Sequence, residues 1–227
     1  MAAGGAELGV LPVENAIAGP VAAACLTLAG WSPPLHAVAE AAVPVRLCLL
    51  ALPGATAPEL RAARSHPVAL AQCGAFFQYH AHIRPVPVHD TAGAAREVAE
   101  LGDPAVAAIA GPAAAERYGL AILAAGIQDR PDNATRFVAV SRLAPPALPP
   151  GRPARTLLAL TAPRTPLRAV LAPFATRHIP ARALLTLPSG LLLLQLDHPA
   201  AHPSVDAALA QLRTVVDSLR AVGSYAV

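Results

Sequence analysis

Asn133-Ala134-Thr135-Arg136-Phe137 is the stretch on which the fold turns. It follows an amphipathic segment, residues 113–126, and a polar turn, Gln128-Asp129-Arg130-Pro131-Asp132. It runs directly into the apolar Phe137-Val138-Ala139-Val140. The pattern predicts a helix over 113–126, a turn, then a buried strand with Asn133, Thr135 and Arg136 at its mouth. Ligands of open α/β sheets gather at such mouths. Thr135 brings a hydroxyl that donates or accepts, and Arg136 a planar fork that fits a carboxylate. The set suits an anionic small molecule that carries a hydroxyl. The plain alternative is a helix end closed by a turn, with Arg136 solvated at the strand edge.

The chain has 227 residues, room for one large or two small domains. With 55% hydrophobic and 14% charged residues it fits a folded core and not a disordered chain. No run approaches the roughly 18 to 20 apolar residues that cross a bilayer. The start, Met1-Ala2-Ala3-Gly4-Gly5-Ala6-Glu7, has an acid and no basic residue, so no signal peptide is expected there. The net charge of +3 comes from scattered Arg, which does not support nucleic-acid binding. Cys25, Cys48 and Cys73 lie far apart in apolar contexts, with no C-x-x-C pair. No metal and no cofactor are expected, and buried thiols in a reducing cytoplasm are the default.

Working outward from the opening stretch, residues 8–13 form an apolar run ending at Glu14-Asn15 and a Gly19-Pro20 turn. This reads as a second strand mouth, with a helix over 20–29. Asn15 is either a ligand group or a cap for that helix. A strand is expected at 43–50 and a short helix at 58–64. In Ser65-His66-Pro67, Ser65 is placed as an N-cap and Pro67 in the first turn, which aims backbone N–H groups at an anion. Alternatively Ser65 only caps and His66 only packs. A strand at 83–88, a helix over 93–100 capped by Asp90 or Thr91, and a strand at 106–110 follow. Such alternation argues for a mostly parallel sheet in two α/β lobes with a cleft.

Residues 143–153 are proline-rich and mark a semi-rigid linker. Beyond them come a strand at 156–161, a helix at 167–177, strands at 179–187 and 191–197 around a turn at 188–190, a helix at 204–219 and a strand near 221–225. That βαββαβ order is a ferredoxin-like unit. Such units pair through their sheets, so a homodimer or homotetramer is expected.

Taken in order, these segments resemble the prephenate dehydratase family. Gly9-Val10-Leu11-Pro12-Val13-Glu14-Asn15 is similar to the family's G-V-V-P-I/V-E-N. Ser65-His66-Pro67 with Ala69-Leu70-Ala71-Gln72-Cys73 is similar to S-H-P-Q-A-L-A-Q-C, and Thr91-Ala92 with Ala94-Ala95 to S-T-A-x-A-A. Ile127-Gln128-Asp129 with Asn133-x-Thr135-Arg136-Phe137 is similar to I-x-D…N-x-T-R-F. The C-terminal unit, ending in Gly223-Ser224-Tyr225, resembles the family's ACT domain. The resemblance implies a periplasmic-binding-protein-like catalytic domain over 1–143, a linker over 144–153 and a regulatory ACT-like domain over 154–227. It implies decarboxylating dehydration of prephenate to phenylpyruvate in phenylalanine biosynthesis, in the cytoplasm. Thr135 would be catalytic, assisting departure of the hydroxyl. Asn15, Ser65, Thr91, Asn133 and Arg136 would hold the two carboxylates, with His66 and Phe137 also contacting substrate.

Three departures stand against the family pattern. The family opens on a strand and a G-P-x-G-T-F/Y-S segment that this sequence does not show, so a misplaced start or a natural truncation is expected, leaving the catalytic domain N-terminally incomplete. Ala16, Val68, Asp90 and Ala134 stand where the family usually has Ser, Gln, Ser and Thr. Where the family's ACT domain binds phenylalanine through G-A-L and E-S-R-P, this chain has Thr165-Pro166-Leu167 and Leu185-Thr186-Leu187-Pro188. A degenerate allosteric site without phenylalanine feedback is therefore expected. Two alternatives stay open: a prephenate decarboxylase-like enzyme of secondary metabolism, and an inactive paralogue acting as a binding or assembly module.

Overall fold

The structure is a computed structural model, and it describes residues 6–187 and 189–227. In chain order its elements are β1 (Leu8–Asn15), β2 (Gly19–Pro20), α1 (Ala22–Gly30), β3 (His36–Pro44), β4 (Cys48–Ala51), a 3₁₀ turn (Ala57–Glu59), β5 (Ala62–Ser65), α2 (Pro67–Ala71), α3 (Gly74–Tyr79) and β6 (Arg84–Pro87). Then come α4 (Thr91–Leu101), β7 (Val106–Ala110), α5 (Pro112–Tyr118), β8 (Ala121–Ala125) and β9 (Ala134–Ser141). After the proline-rich stretch follow β10 (Pro153–Thr161), α6 (Leu167–Ala175), β11 (Ala181–Thr186), β12 (Leu191–Pro199), α7 (Pro203–Leu212) and β13 (Ser218–Ala226). These form two compact units: Met1–Val43 with Ala134–Val227, and the inserted Pro44–Asn133.

The first unit holds two four-stranded sheets, ordered β2-β1-β9-β3 and β11-β12-β10-β13. In the second of these β10 is antiparallel to both β12 and β13, and β11 to β12. With its two helices this is the ferredoxin-like unit read from the sequence. Its sheet is apolar on both faces. Leu158, Leu160, Leu192 and Leu194 pack under α6 and α7 with Phe174, Val205 and Leu212. Leu157, Ala159, Leu193 and Val222 pack with Val13, Leu28 and Val138 of α1 and the other sheet. Successive strand residues point to opposite faces, so a sheet covered on both sides reads as an unbroken run such as Leu191-Leu192-Leu193-Leu194. At Gly223 a Cβ would strike the backbone of Ala37, so only glycine lets those two segments approach.

The second unit is a five-stranded sheet ordered β6-β5-β7-β4-β8. Strand β5 is parallel to β6 and β7, while β4 is antiparallel to β7 and β8. The sheet is therefore mixed, which corrects the expectation of a mostly parallel one. One face buries Leu49, Ala63 and Ile109, the other Leu50, Ala108 and Val98.

Four element expectations change. The helix expected over 113–126 stops at Tyr118, because Gly119 turns left-handed at φ 67°, and its second half is β8. The helix expected at 58–64 is a single 3₁₀ turn followed by β5. The strand expected at 43–50 divides into the end of β3 and β4. The helix expected to reach 219 ends at Leu212, a turn follows, and β13 begins at Ser218. Residues 143–150 carry no helix or strand, and the segments flanking them fall in the same compact unit.

Candidate active site

Strands β1 and β9 are antiparallel, with Leu11 opposite Val138 and Pro12 opposite Phe137. The register then slips, so that Glu14 faces Arg136 and Asn15 faces Thr135. Val13 is the extra residue of a β-bulge and lies fully buried. The bulge inverts the side-chain parity of β1. Without it Asn15 would share a face with the partly buried Leu11 and the buried Val13; with it, Asn15 stands beside Thr135 on the opposite face.

That pairing has a fixed polarity. The Asn15 Oδ1 accepts from the backbone N–H of Ile17 (3.0 Å) and Ala18 (2.9 Å). Two backbone donors identify that atom as the oxygen, so the amide nitrogen is the one turned to Thr135. It donates to Thr135 Oγ1 at 3.1 Å and approaches the Ala134 carbonyl at 3.4 Å. Thr135 Oγ1 thus receives a hydrogen and keeps its own for donation elsewhere. Phe137, two residues on, lies on the same face and is half-buried.

Arg136 lies apart from Thr135. It alternates to the face opposite Thr135, as adjacent strand residues must. Its guanidinium meets Glu14 at 2.9 Å and Glu40 at 3.3 Å, with the side chain only 11% exposed. Glu40 also pairs with Arg155 and accepts from the Tyr225 hydroxyl at 3.0 Å. Arg155 reaches Asp197 (2.9 Å), and Arg182 reaches Glu14 (3.1 Å). Three carboxylates and three guanidiniums thus balance in one network, each buried charge matched by its partners. Burial, with Glu40 alongside, pushes the Tyr225 hydroxyl up, which keeps it a donor. The Arg155 hydrogen bond holds the Asp197 carboxyl below its ordinary range, against its partial burial. The sequence reading missed Glu40. A lone acid inside the apolar Ala37-Val38-Ala39-Glu40-Ala41-Ala42-Val43 was the available signal, because buried acids are rare unless paired.

In the second unit the expected groups are mostly committed. Ser65 is fully buried and donates to the Ile109 carbonyl at 2.6 Å, so it ties β5 to β7 and does not cap α2. His66 takes the cap, its Nδ1 accepting from the Val68 N–H at 3.2 Å. Asp90 caps α4 through the Gly93 N–H, which leaves Thr91 as the first helical residue. Asn133 is 1% exposed and donates to Gln72 Oε1 at 3.2 Å. Asp129 caps the start of α3 by accepting from the N–H groups of Gly74 and Ala75, both at 2.9 Å. Gln128 accepts from the Leu47 N–H at 2.9 Å. The family-like polar residues of this unit therefore hold turns and strands together.

The three cysteines are buried and unbridged. Burial, with Asp129 nearby, pushes the Cys73 thiol up to about 12, and burial raises Cys25. Among the described residues no three His, Cys, Asp or Glu side chains are placed to hold a metal ion. No helix among them is long and apolar enough to cross a membrane. In the ferredoxin-like unit Thr165 donates to the Val215 carbonyl at 2.7 Å, and Pro166 and Leu167 begin α6. Leu185 is buried in the core with Leu187 packed against it, and Thr186 ends β11. Pro188 lies outside the described residues.

The sequence profile of the prephenate dehydratase family matches residues 1–145. Arogenate dehydratase 1 of Petunia hybrida is 42% identical over 177 residues, 77% of this chain and 41% of that protein. A prephenate dehydratase of Mycobacterium leprae is 40% identical over 181 residues, 78% of this chain and 54% of that protein. The chain thus spans about half or less of the length of these curated relatives. Among solved structures, the prephenate dehydratase of Arthrobacter aurescens in complex with L-Phe superposes with a TM-score of 0.86 at 31% identity, covering 100% of this chain and 77% of that one. The quorum quenching acylase GqqA gives 0.78 at 31% identity, covering 97% and 82%. The family profile covers well over half of the sequence: this chain belongs to the prephenate dehydratase family.

Proposed function

We propose that the chain carries out its family's reaction, converting prephenate to phenylpyruvate, with Thr135 as the catalytic residue. The bond from the ring to its carboxylate breaks and carbon dioxide leaves. The electron pair moves through the ring, which becomes aromatic, and expels the hydroxyl at the opposite carbon. That oxygen departs with the pair, so it needs a hydrogen bond as negative charge builds on it. Threonine is too weak an acid to protonate it fully. An oriented hydroxyl donor suffices, because aromatisation drives the step. The observation that carries this reading is the Asn15 amide on Thr135 Oγ1, which leaves the Thr135 hydrogen to be donated to another acceptor.

Arg136 acts in this reading as a positioning residue, since its guanidinium is held by Glu14 and Glu40. Ser65 and Asn133 likewise hold structure. His66, Thr91 and Phe137 keep the substrate contacts that the family resemblance gives them. The C-terminal unit is proposed as an ACT-like regulatory domain that pairs into a homodimer or homotetramer in the cytoplasm, which light scattering on the purified chain measures. Arogenate is assayed in parallel with prephenate, because the Petunia relative is named for it.

Incubation with prephenate, followed by phenylpyruvate absorbance in alkali, tests the proposal. Phenylpyruvate above the uncatalysed rate supports it. A decarboxylated but non-aromatic product would identify the decarboxylase alternative, and unchanged prephenate and arogenate the inactive paralogue.

A further inference from the structure

The first unit contains a cavity of about 470 Å³ that none of the candidate catalytic or substrate-binding residues lines. That volume is within the range of small-molecule sites. One wall is apolar, built by the proline-rich stretch at Pro145–Leu148 and by Val205 and Leu209 of α7. The floor is polar: Thr156 of β10, His198 of β12 and Ser224 of β13.

The floor has a direction. His198 Nδ1 lies 2.8 Å from the Pro199 carbonyl, which can only accept, so Nδ1 carries a hydrogen. In the neutral ring Nε2 is then an acceptor, and Thr156 Oγ1, 2.7 Å away, donates to it. Thr156 is 4% exposed, and its one hydrogen is used. Ser224 Oγ, 2.6 Å from Thr156, therefore donates to Thr156 and turns its lone pairs to the cavity. Asp206, exposed on the first turn of α7, adds the only carboxylate of the lining, which has no Lys or Arg among its described residues. His202 caps α7 by accepting from the Ser204 N–H, so in the neutral ring its hydrogen is on the other nitrogen. The other polar groups of the lining are the His202 N–H and the His36 ring; Ser224 and Asp206, two acceptors of which one is negative, face an apolar wall and suit a ligand with a donor head.

We propose that this cavity binds a small primary amine, as its ammonium ion, with an apolar body against Leu148 and Leu209. The ammonium lies between Ser224 Oγ and the Asp206 carboxylate. The proposal does not depend on the dehydratase reading, because no group of the cavity belongs to the Asn15–Thr135 pair.

The test uses 2-phenylethylamine as probe and 3-phenylpropanoate as its anionic counterpart, titrated into the full chain at about pH 8, above the ordinary histidine range. Backbone amide shifts are read by NMR. The expected result is saturable shifts at Ala154, Ala221 and Gly223 with the amine and none with the anion. Asp206→Asn, isosteric and exposed, should weaken the amine about tenfold, the ratio that about 1.4 kcal/mol produces. Absence of saturable shifts at those three residues, an equal response to the anion, or an Asp206→Asn affinity within twofold of the parent would overturn it.

Discussion

In the proposed reaction, the chemistry at Thr135 depends on which partner holds the hydroxyl hydrogen. Asn15 settles it by presenting N–H and not C=O, and its own orientation is set by two backbone donors. Asn15→Asp keeps the oxygen that accepts from Ile17 and Ala18 but replaces the NH₂ with a second acceptor. Thr135 then donates inward, and turnover should fall by about 10²-fold or more while the melting temperature barely changes. Kinetics and calorimetry on one preparation check both halves. Arg136 makes the opposite forecast. Arg136→Ala leaves Glu14, at 28% side-chain exposure, and Glu40, at 11%, short of a partner, although Glu14 keeps Arg182 and Glu40 keeps Arg155 and Tyr225. The cost should be near the lower end of the about 3–5 kcal/mol typical of a broken buried pair, read by urea denaturation. A substrate clamp would instead show as a raised KM with unchanged stability.

The elements show what the sequence disclosed and what it hid. Thr135 and its strand were legible because a polar motif ran straight into Phe137-Val138-Ala139-Val140, and the strand extends to Ser141. The partner strand was legible from Gly9 to Asn15, but its parity was not. A one-residue bulge leaves no mark in a motif, yet it decides that Glu14 meets Arg136 and Asn15 meets Thr135. The opening reading put Thr135 and Arg136 in one aspect, which a period of two forbids. Residues 113–126 misled for a different reason. Alanine-rich runs fit a helix on propensity, and Ala121-Ile122-Leu123-Ala124-Ala125 becomes a strand only because β4 is there to pair with it. The same holds for Ala62-Ala63-Arg64-Ser65, a strand held by β6 and β7. Doubly covered strands such as β12 were easily found, since a long leucine run has few other uses.

Over the whole molecule, the charge network ties β1, β3 and β9 to the ferredoxin-like sheet within the first unit. Its pH response has a definite sign. The Asp197 carboxyl is held below its ordinary range by Arg155, so it stabilises the fold above about pH 4 and loses that contribution as pH falls through the lowered value. Asp197→Asn should therefore flatten the acid limb of a stability-against-pH curve and leave its neutral slope alone. The Thr165-Pro166-Leu167 and Leu185-Thr186-Leu187 positions carry neither a carboxylate nor a guanidinium for an amino acid. Calorimetry with phenylalanine should show no saturable heat at micromolar affinity.

The most direct measurement of the central claim is kcat for phenylpyruvate formation by Thr135→Ala and Thr135→Ser beside the parent chain. Serine restores an oriented hydroxyl on Asn15, so it should retain a substantial part of the rate, whereas alanine should lose about 10²-fold or more. An alanine variant that turns prephenate over within a few fold of the parent would contradict the account.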